Sequence, residues 1–159
     1  SLDADGGVDL HVVIENNMFR AEDTAGTQVG VLLRAGAYPT VRNNFFYGQF
    51  DSVGSAAATA AGAITSDTTG AAMSGVNIKD NTIVSTDTAA GLLINIDAAL
   101  THRGIVIGNK LATYDTATAD TAQVAFGTLL PLDNSMITGD SDVQQSIVGK
   151  RLMRGVLDS

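Results

Sequence analysis

The stretch VIENNMFRA, residues 13–21, decides how this chain is read. Two asparagines interrupt a run that is otherwise apolar and β-prone, although asparagine is depleted in strands. The same figure returns as TVRNNFFYG from Thr40, VNIKDNTIV from Val76 and IVIGNKLAT from Ile105. Its common form is an apolar residue, two residues, Asn, one residue and a second apolar residue. Ile14, Asn17 and Phe19 fit it, as do Val41, Asn44 and Phe46, then Ile78, Asn81 and Ile83, then Val106, Asn109 and Leu111. Pro131, Asn134 and Met136 make a weaker fifth copy.

The asparagines are separated by 44−17 = 27, 81−44 = 37, 109−81 = 28 and 134−109 = 25 residues. A second element follows the first three copies: GVLLRAG from Gly30, GAITSDT from Gly62 and GLLINID from Gly91, with QVAFGTL from Gln123 a poorer fourth. A repeat of roughly 20–50 residues indicates a solenoid, propeller or array. Each unit holds short strand candidates and no helical period, so it must stack on its neighbours to bury a face. The expected fold class is all-β, a parallel β-helix of about five coils with an Asn ladder at one corner. Asn suits the bent or left-handed backbone of a corner, and identical side chains on successive coils can hydrogen-bond in a ladder. Asn17, Asn44, Asn81 and Asn109 are the ladder residues. A β-sandwich is the alternative fold, since strands and turns also suit it.

Alternation sets the faces. Ile14, Val41, Ile78 and Val106 should point inward, with Phe19, Phe46, Ile83 and Leu111 stacked past the corner. Glu15, Arg42 and Lys79 should point outward. On the second element Leu92, Ile94 and Ile96 read as inward, and Leu32, Ile64 and Leu93 as an outward apolar stripe. Such a stripe is a subunit interface or is covered by the chain's own tail.

The pattern resembles the right-handed parallel β-helix family shared by pectate-lyase-like enzymes and phage tailspike proteins, over roughly residues 8–138. The resemblance implies the right-handed coil. It also implies two functional directions: a virion structural protein, or a polysaccharide lyase or hydrolase.

Length sets one domain over 1–159, with an arm or cap from about residue 139. The segment from Ser141 reads as a short helix or an extended arm. Its Lys150, Arg151 and Arg154 are suited to docking on an acidic neighbour, or form an ordinary solvated terminus. The chain begins at Ser1 without Met or a signal-peptide pattern, as expected of a processed product or an excised piece. There is no cysteine, so thiolate chemistry and disulfides are excluded. The formal net charge of −8 argues against a nucleic-acid partner, which needs phosphates neutralised by Lys and Arg. No apolar run is long enough to expect a membrane-spanning helix. Abundant Asp with little Lys fits a saline or marine setting, or simply reflects turns.

The catalytic candidates, if the chain is an enzyme, are Asp67 and Asp97 with His102 and Arg103. Glycoside hydrolysis needs two carboxylates across the scissile bond, and an acid or anchoring group nearby would assist. Their bland alternative is turn formation. His11 and His102 lie far apart in sequence, so no metal-ligand spacing exists, and DADGGVD from Asp3 lacks the later Glu of a calcium loop. No cofactor is expected. Residues 52–75 and 112–123, rich in Ala, Thr, Ser and Gly, are flexible loops or protruding contacts. The leading expectation is a non-enzymatic virion or extracellular component: a tail spike or fibre section, or a capsid decoration protein. Its partners would be copies of itself, with a trimer favoured, or other virion proteins. A glycan-binding adhesin acting through residues 52–75 is the third reading.

Overall fold

The computed structural model describes residues 10–21, 29–34, 37–50, 62–66, 72–86, 93–113, 124–138, 143–148 and 151–156. Asp67, Lys150, the acidic segment 3–9, Leu92 and most of the loops at 52–75 and 112–123 lie outside them.

Among the described residues every regular element is a strand. The first triplet is β1 (Leu10–Glu15), β2 (Met18–Ala21) and β3 (Val29–Leu33). The second is β4 (Ala37–Arg42), β5 (Phe45–Gly48) and β6 (Gly62–Ser66). The third is β7 (Val76–Lys79), β8 (Thr82–Ser85) and β9 (Ile94–Asn95). The fourth is β10 (Gly104–Ile107), β11 (Lys110–Thr113) and β12 (Val124–Ala125). Then come β13 (Leu130–Leu132), β14 (Asn134–Thr138), β15 (Val143–Val148) and β16 (Arg151–Val156).

Each strand of a triplet joins a different sheet. The first sheet runs β1-β4-β7-β10-β13 and the third runs β12-β9-β6-β3. The second runs β2-β5-β8-β11-β14 and continues into β15 and β16. All pairings between triplets are parallel, whereas β14–β15 and β15–β16 are antiparallel. The protein is therefore all-β with parallel strands in stacked sheets, an arrangement compatible with a β-helix-like fold. A sandwich is built from antiparallel sheets, whereas here the pairings between triplets are parallel. The described residues of the tail form two strands, which corrects the short-helix reading of those residues.

Register places the apolar repeat in rows. Ile14, Val41, Ile78, Val106 and Pro131 align across the first sheet. Phe19, Phe46, Ile83, Leu111 and Met136 align across the second. Val31, Ile64, Ile94 and Val124 align across the third. Val41, Phe46, Ile64, Ile78, Ile83, Ile94, Val106 and Met136 are fully buried in one core cluster. Burying a side chain of this kind is worth about 1.5–3 kcal/mol before entropy is counted. Phe19 and Phe46 stack with ring centroids 4.6 Å apart, and Phe50 meets Phe46 edge-on.

Candidate functional site

The corner between the first and second sheets is the most regular polar feature. Asn17 donates its backbone N–H and its Nδ2 to Asn44 Oδ1, at 3.0 and 3.2 Å. Asn44 does the same to Asn81, Asn81 to Asn109, and Asn109 to Asn134, all within 2.8–3.1 Å. Each Nδ2 from Asn44 onward also donates back to a carbonyl of the preceding triplet: Ile14, Val41, Ile78 and Val106 respectively. The polar core of the corner is thus fully paired, as burial requires. Asn44, Asn81, Asn109 and Asn134 are buried, while Asn17 at the end of the row is exposed.

The left-handed bend falls one residue before each ladder Asn. Asn16, Asn43, Asp80 and Asp133 have φ of 58°, 53°, 55° and 50°, and Gly108 has 66°. Two tasks are therefore divided between neighbours: the first residue turns the chain and the second bonds the triplets. Outside the corner, Arg42 Nε pairs with Glu15, and both side chains are 39% exposed. Lys79 follows Arg42 in the same row.

Among the catalytic candidates, Asp97, His102 and Arg103 are described. The Asp97 N–H donates to Ser66 Oγ at 2.8 Å, and its Oδ1 accepts the Ala99 N–H at 2.9 Å, closing a turn. His102 is buried, and its Nδ1 accepts the Met73 N–H at 3.1 Å. In the neutral ring the proton therefore sits on Nε2. Burial holds the His102 pKa below its ordinary 6.5, with the Asp97 carboxylate opposing that shift. Thr128 Oγ1 donates to the His102 carbonyl at 2.7 Å, and the Arg103 N–H donates to the Met73 carbonyl at 2.9 Å. The Arg103 residue itself is exposed. These residues tie one turn to the neighbouring triplets. Asp97 Oδ2 and His102 Nε2 are buried without a partner among the described residues. Neither is offered to open solvent, and His102 Nδ1 is occupied by Met73. No group of three or more His, Cys, Asp or Glu residues that could hold a metal ion occurs among the described residues.

The outward stripe of Leu32, Ile64 and Leu93 is corrected. Ile64 and Leu93 are fully buried, and the Ile64 N–H donates to the Leu93 carbonyl at 3.1 Å. Ile64 aligns with Val31 and Ile94 in the core, so Leu32 shares its row with Thr65 and Asn95 instead. A slip of one residue exchanges the two faces of a strand, and the expected register was off by that step. Arg151 and Arg154 lie on β16, the outermost strand of the second sheet, opposite Val148 and Gln145.

The exposed apolar side chains gather elsewhere. On the second sheet Met18 is 67% exposed, Phe45 37% and Tyr47 41%. Met18 and Phe45 are cross-strand partners, as are Arg20 and Tyr47. The Phe45 and Tyr47 rings lie 6.3 Å apart and nearly parallel. Sequence alternation carries this signal, since residues 18, 20, 45 and 47 flank the inward Phe19 and Phe46. No protein-family model, curated protein or solved structure matches this chain.

Proposed function

We propose that this chain is a non-enzymatic structural and assembly protein. In this reading the stacked triplets form a right-handed parallel β-helix of about five coils. It would serve as an extracellular, phage-like virion component, either a tail spike or fibre section or a capsid decoration protein. The observation that carries the non-enzymatic part is the engagement of Asp97 and His102. The backbone amides of Ala99 and Met73 occupy Asp97 Oδ1 and His102 Nδ1, so both side chains work on the fold. The virion part rests on the family resemblance.

Self-assembly would use the second sheet, where Met18, Phe45 and Tyr47 are exposed side by side. Apolar groups clustered on a protein surface are suited to an interface. Light scattering on wild type and on Tyr47→Asp tests this. A trimer or larger assembly that falls to a folded monomer in the variant supports the reading. A monomer in both overturns it.

The near-parallel Phe45 and Tyr47 rings favour one second reading, a glycan-binding surface protein, because flat apolar sugar faces stack on exposed aromatic rings. Retention of wild-type on a glycan array, lost in Tyr47→Ala, would support it. Turnover of an acidic polysaccharide by wild type, abolished in Asp97→Ala, would instead establish the enzyme.

A further inference from the structure

We propose that copies of this chain pack second sheet on first sheet. The outer face of the second sheet of one copy lies on the outer face of the first sheet of the next, with like triplets at the same level. This contact presupposes the self-assembly reading and supplies the surface that the second sheet meets.

Among the described residues, the exposed large apolar side chains are Val13, Met18, Phe45, Tyr47 and Leu130. All five lie on the outer faces of the first and second sheets, on either side of the Asn corner. Val13 and Leu130 are 54% and 55% exposed. They belong to one outward row of the first sheet, formed by Val13, Thr40, Asn77, Ile105 and Leu130. Two separate apolar faces on one chain suit a heterologous contact, in which each copy turns a different face to each neighbour.

Charge argues against the second sheet meeting its own equivalent. Strands β2, β5, β8, β11 and β14 contain Arg20 and Lys110 and no Asp or Glu. With stacking axes parallel, a two-fold contact between two such faces sets Arg20 at the level of Arg20. With the axes reversed, it brings Arg20 towards the level of Lys110. Neither set of strands offers a carboxylate to compensate, and like charges brought together at an interface are costly. The first sheet carries the missing group: β1 ends in Glu15, whose side chain is 39% exposed.

Chain direction then fixes which positions meet. First-sheet strands run into the corner and second-sheet strands run out of it. Copies with parallel stacking axes therefore bring their corner-side residues together. At the first triplet, Arg20 shares a level with the Glu15 carboxylate of the next copy. At the second, Arg42 lies opposite Phe45 and beside Tyr47, where a guanidinium is attracted to the ring faces. At the third, Lys79 meets Thr82, and at the fourth, Ile105 meets Ala112 and Ile107 meets Lys110. On these strands no Arg or Lys of one face opposes an Arg or Lys of the other.

The chain has no cysteine, so single-cysteine variants of the full chain report the contact cleanly. Lys79→Cys and Thr82→Cys, each checked for folding by circular dichroism, are treated with a short bis-maleimide alone and as a mixture. A covalent dimer is expected in the mixture and in neither variant alone. Cross-linking of Thr82→Cys by itself would place second sheet on second sheet, and that of Lys79→Cys by itself first on first; either overturns the inference while leaving self-assembly standing. Arg20→Glu sets a carboxylate against Glu15 and should weaken self-association about tenfold by light scattering. Unchanged or stronger association in Arg20→Glu overturns the inference, since reversing that charge would relieve a contact between two second sheets. A wild type that stays monomeric overturns the self-assembly reading itself, and this contact with it.

Discussion

Asn81 Oδ1 accepts both the backbone N–H and the Nδ2 of Asn44, so one side-chain oxygen closes the corner of the neighbouring triplet. Asn81 also donates to the Val41 carbonyl and to Asn109 Oδ1 at 2.9 Å. Asn81→Ala removes these four hydrogen bonds and leaves the buried Asn44 N–H without its acceptor. The expected cost is about 3–5 kcal/mol, because unmet buried groups cost more than a formed bond gains. Asn17→Ala exposes its partners to water and should cost about 1 kcal/mol. Urea unfolding of the two variants checks the contrast, and equal losses would refute the cooperative ladder.

Gly108 takes the turning position that Asp80 takes in the preceding triplet. Its φ is +66°, and a Cβ there would lie 2.6 Å from Asp80 Oδ1. Gly108→Ala should cost about 1–2 kcal/mol from the left-handed backbone alone, and more from the crowding. Adding Asp80→Gly should recover the crowding part and leave the backbone part. Thermal unfolding of the single and double variants separates the two.

The Glu15–Arg42 pair bridges the first two triplets from outside. Each side chain is 39% exposed, so solvent screens the attraction. A double-mutant cycle with Glu15→Gln and Arg42→Gln should give a coupling of about 0–1 kcal/mol that shrinks in added salt. A coupling several times larger would mean that the pair is effectively buried.

His102 makes stability depend on pH. Burial lowers its folded-state pKa below the ordinary 6.5, so the unfolded chain binds the proton more readily. The contribution is complete above the unfolded value. It is lost as pH falls below 6.5 and levels off once pH is under the depressed folded value. Protonation also requires Nδ1 to give up the Met73 N–H. His102→Asn offers an acceptor oxygen near the Nδ1 position and does not titrate. The stability difference between wild type and this variant should therefore change over that acidic window. A parallel pair of pH profiles would contradict the assignment.

The ladder and two of the three apolar rows are legible in the sequence because each copy repeats the same spacing around Asn. Ile78 and Ile83 are both fully buried, on either side of Asn81. The left-handed position was also written there, as Asn16, Asn43, Asp80, Gly108 and Asp133, but it is masked by the more uniform Asn beside it. The third sheet was not legible. Its strands carry adjacent apolar residues, such as Leu32 and Leu33 or Leu93 and Ile94, so alternation does not choose a face. Nor was the burial of His102 visible, since its partner Met73 lies 29 residues earlier.

The parallel sheets also bear on how the chain reaches its native state. Successive rungs join residues 27, 37, 28 and 25 positions apart. None of these pairings can begin as a tight hairpin; each needs a long loop to close before any bond rewards it. Among the described residues, only the antiparallel run of β14, β15 and β16 pairs strands near in sequence, and it follows the stacked triplets. Folding should therefore be slow for a domain of this size. Its rate should follow loop closure at the first stacked pair of triplets, after which each further triplet finds an edge already built.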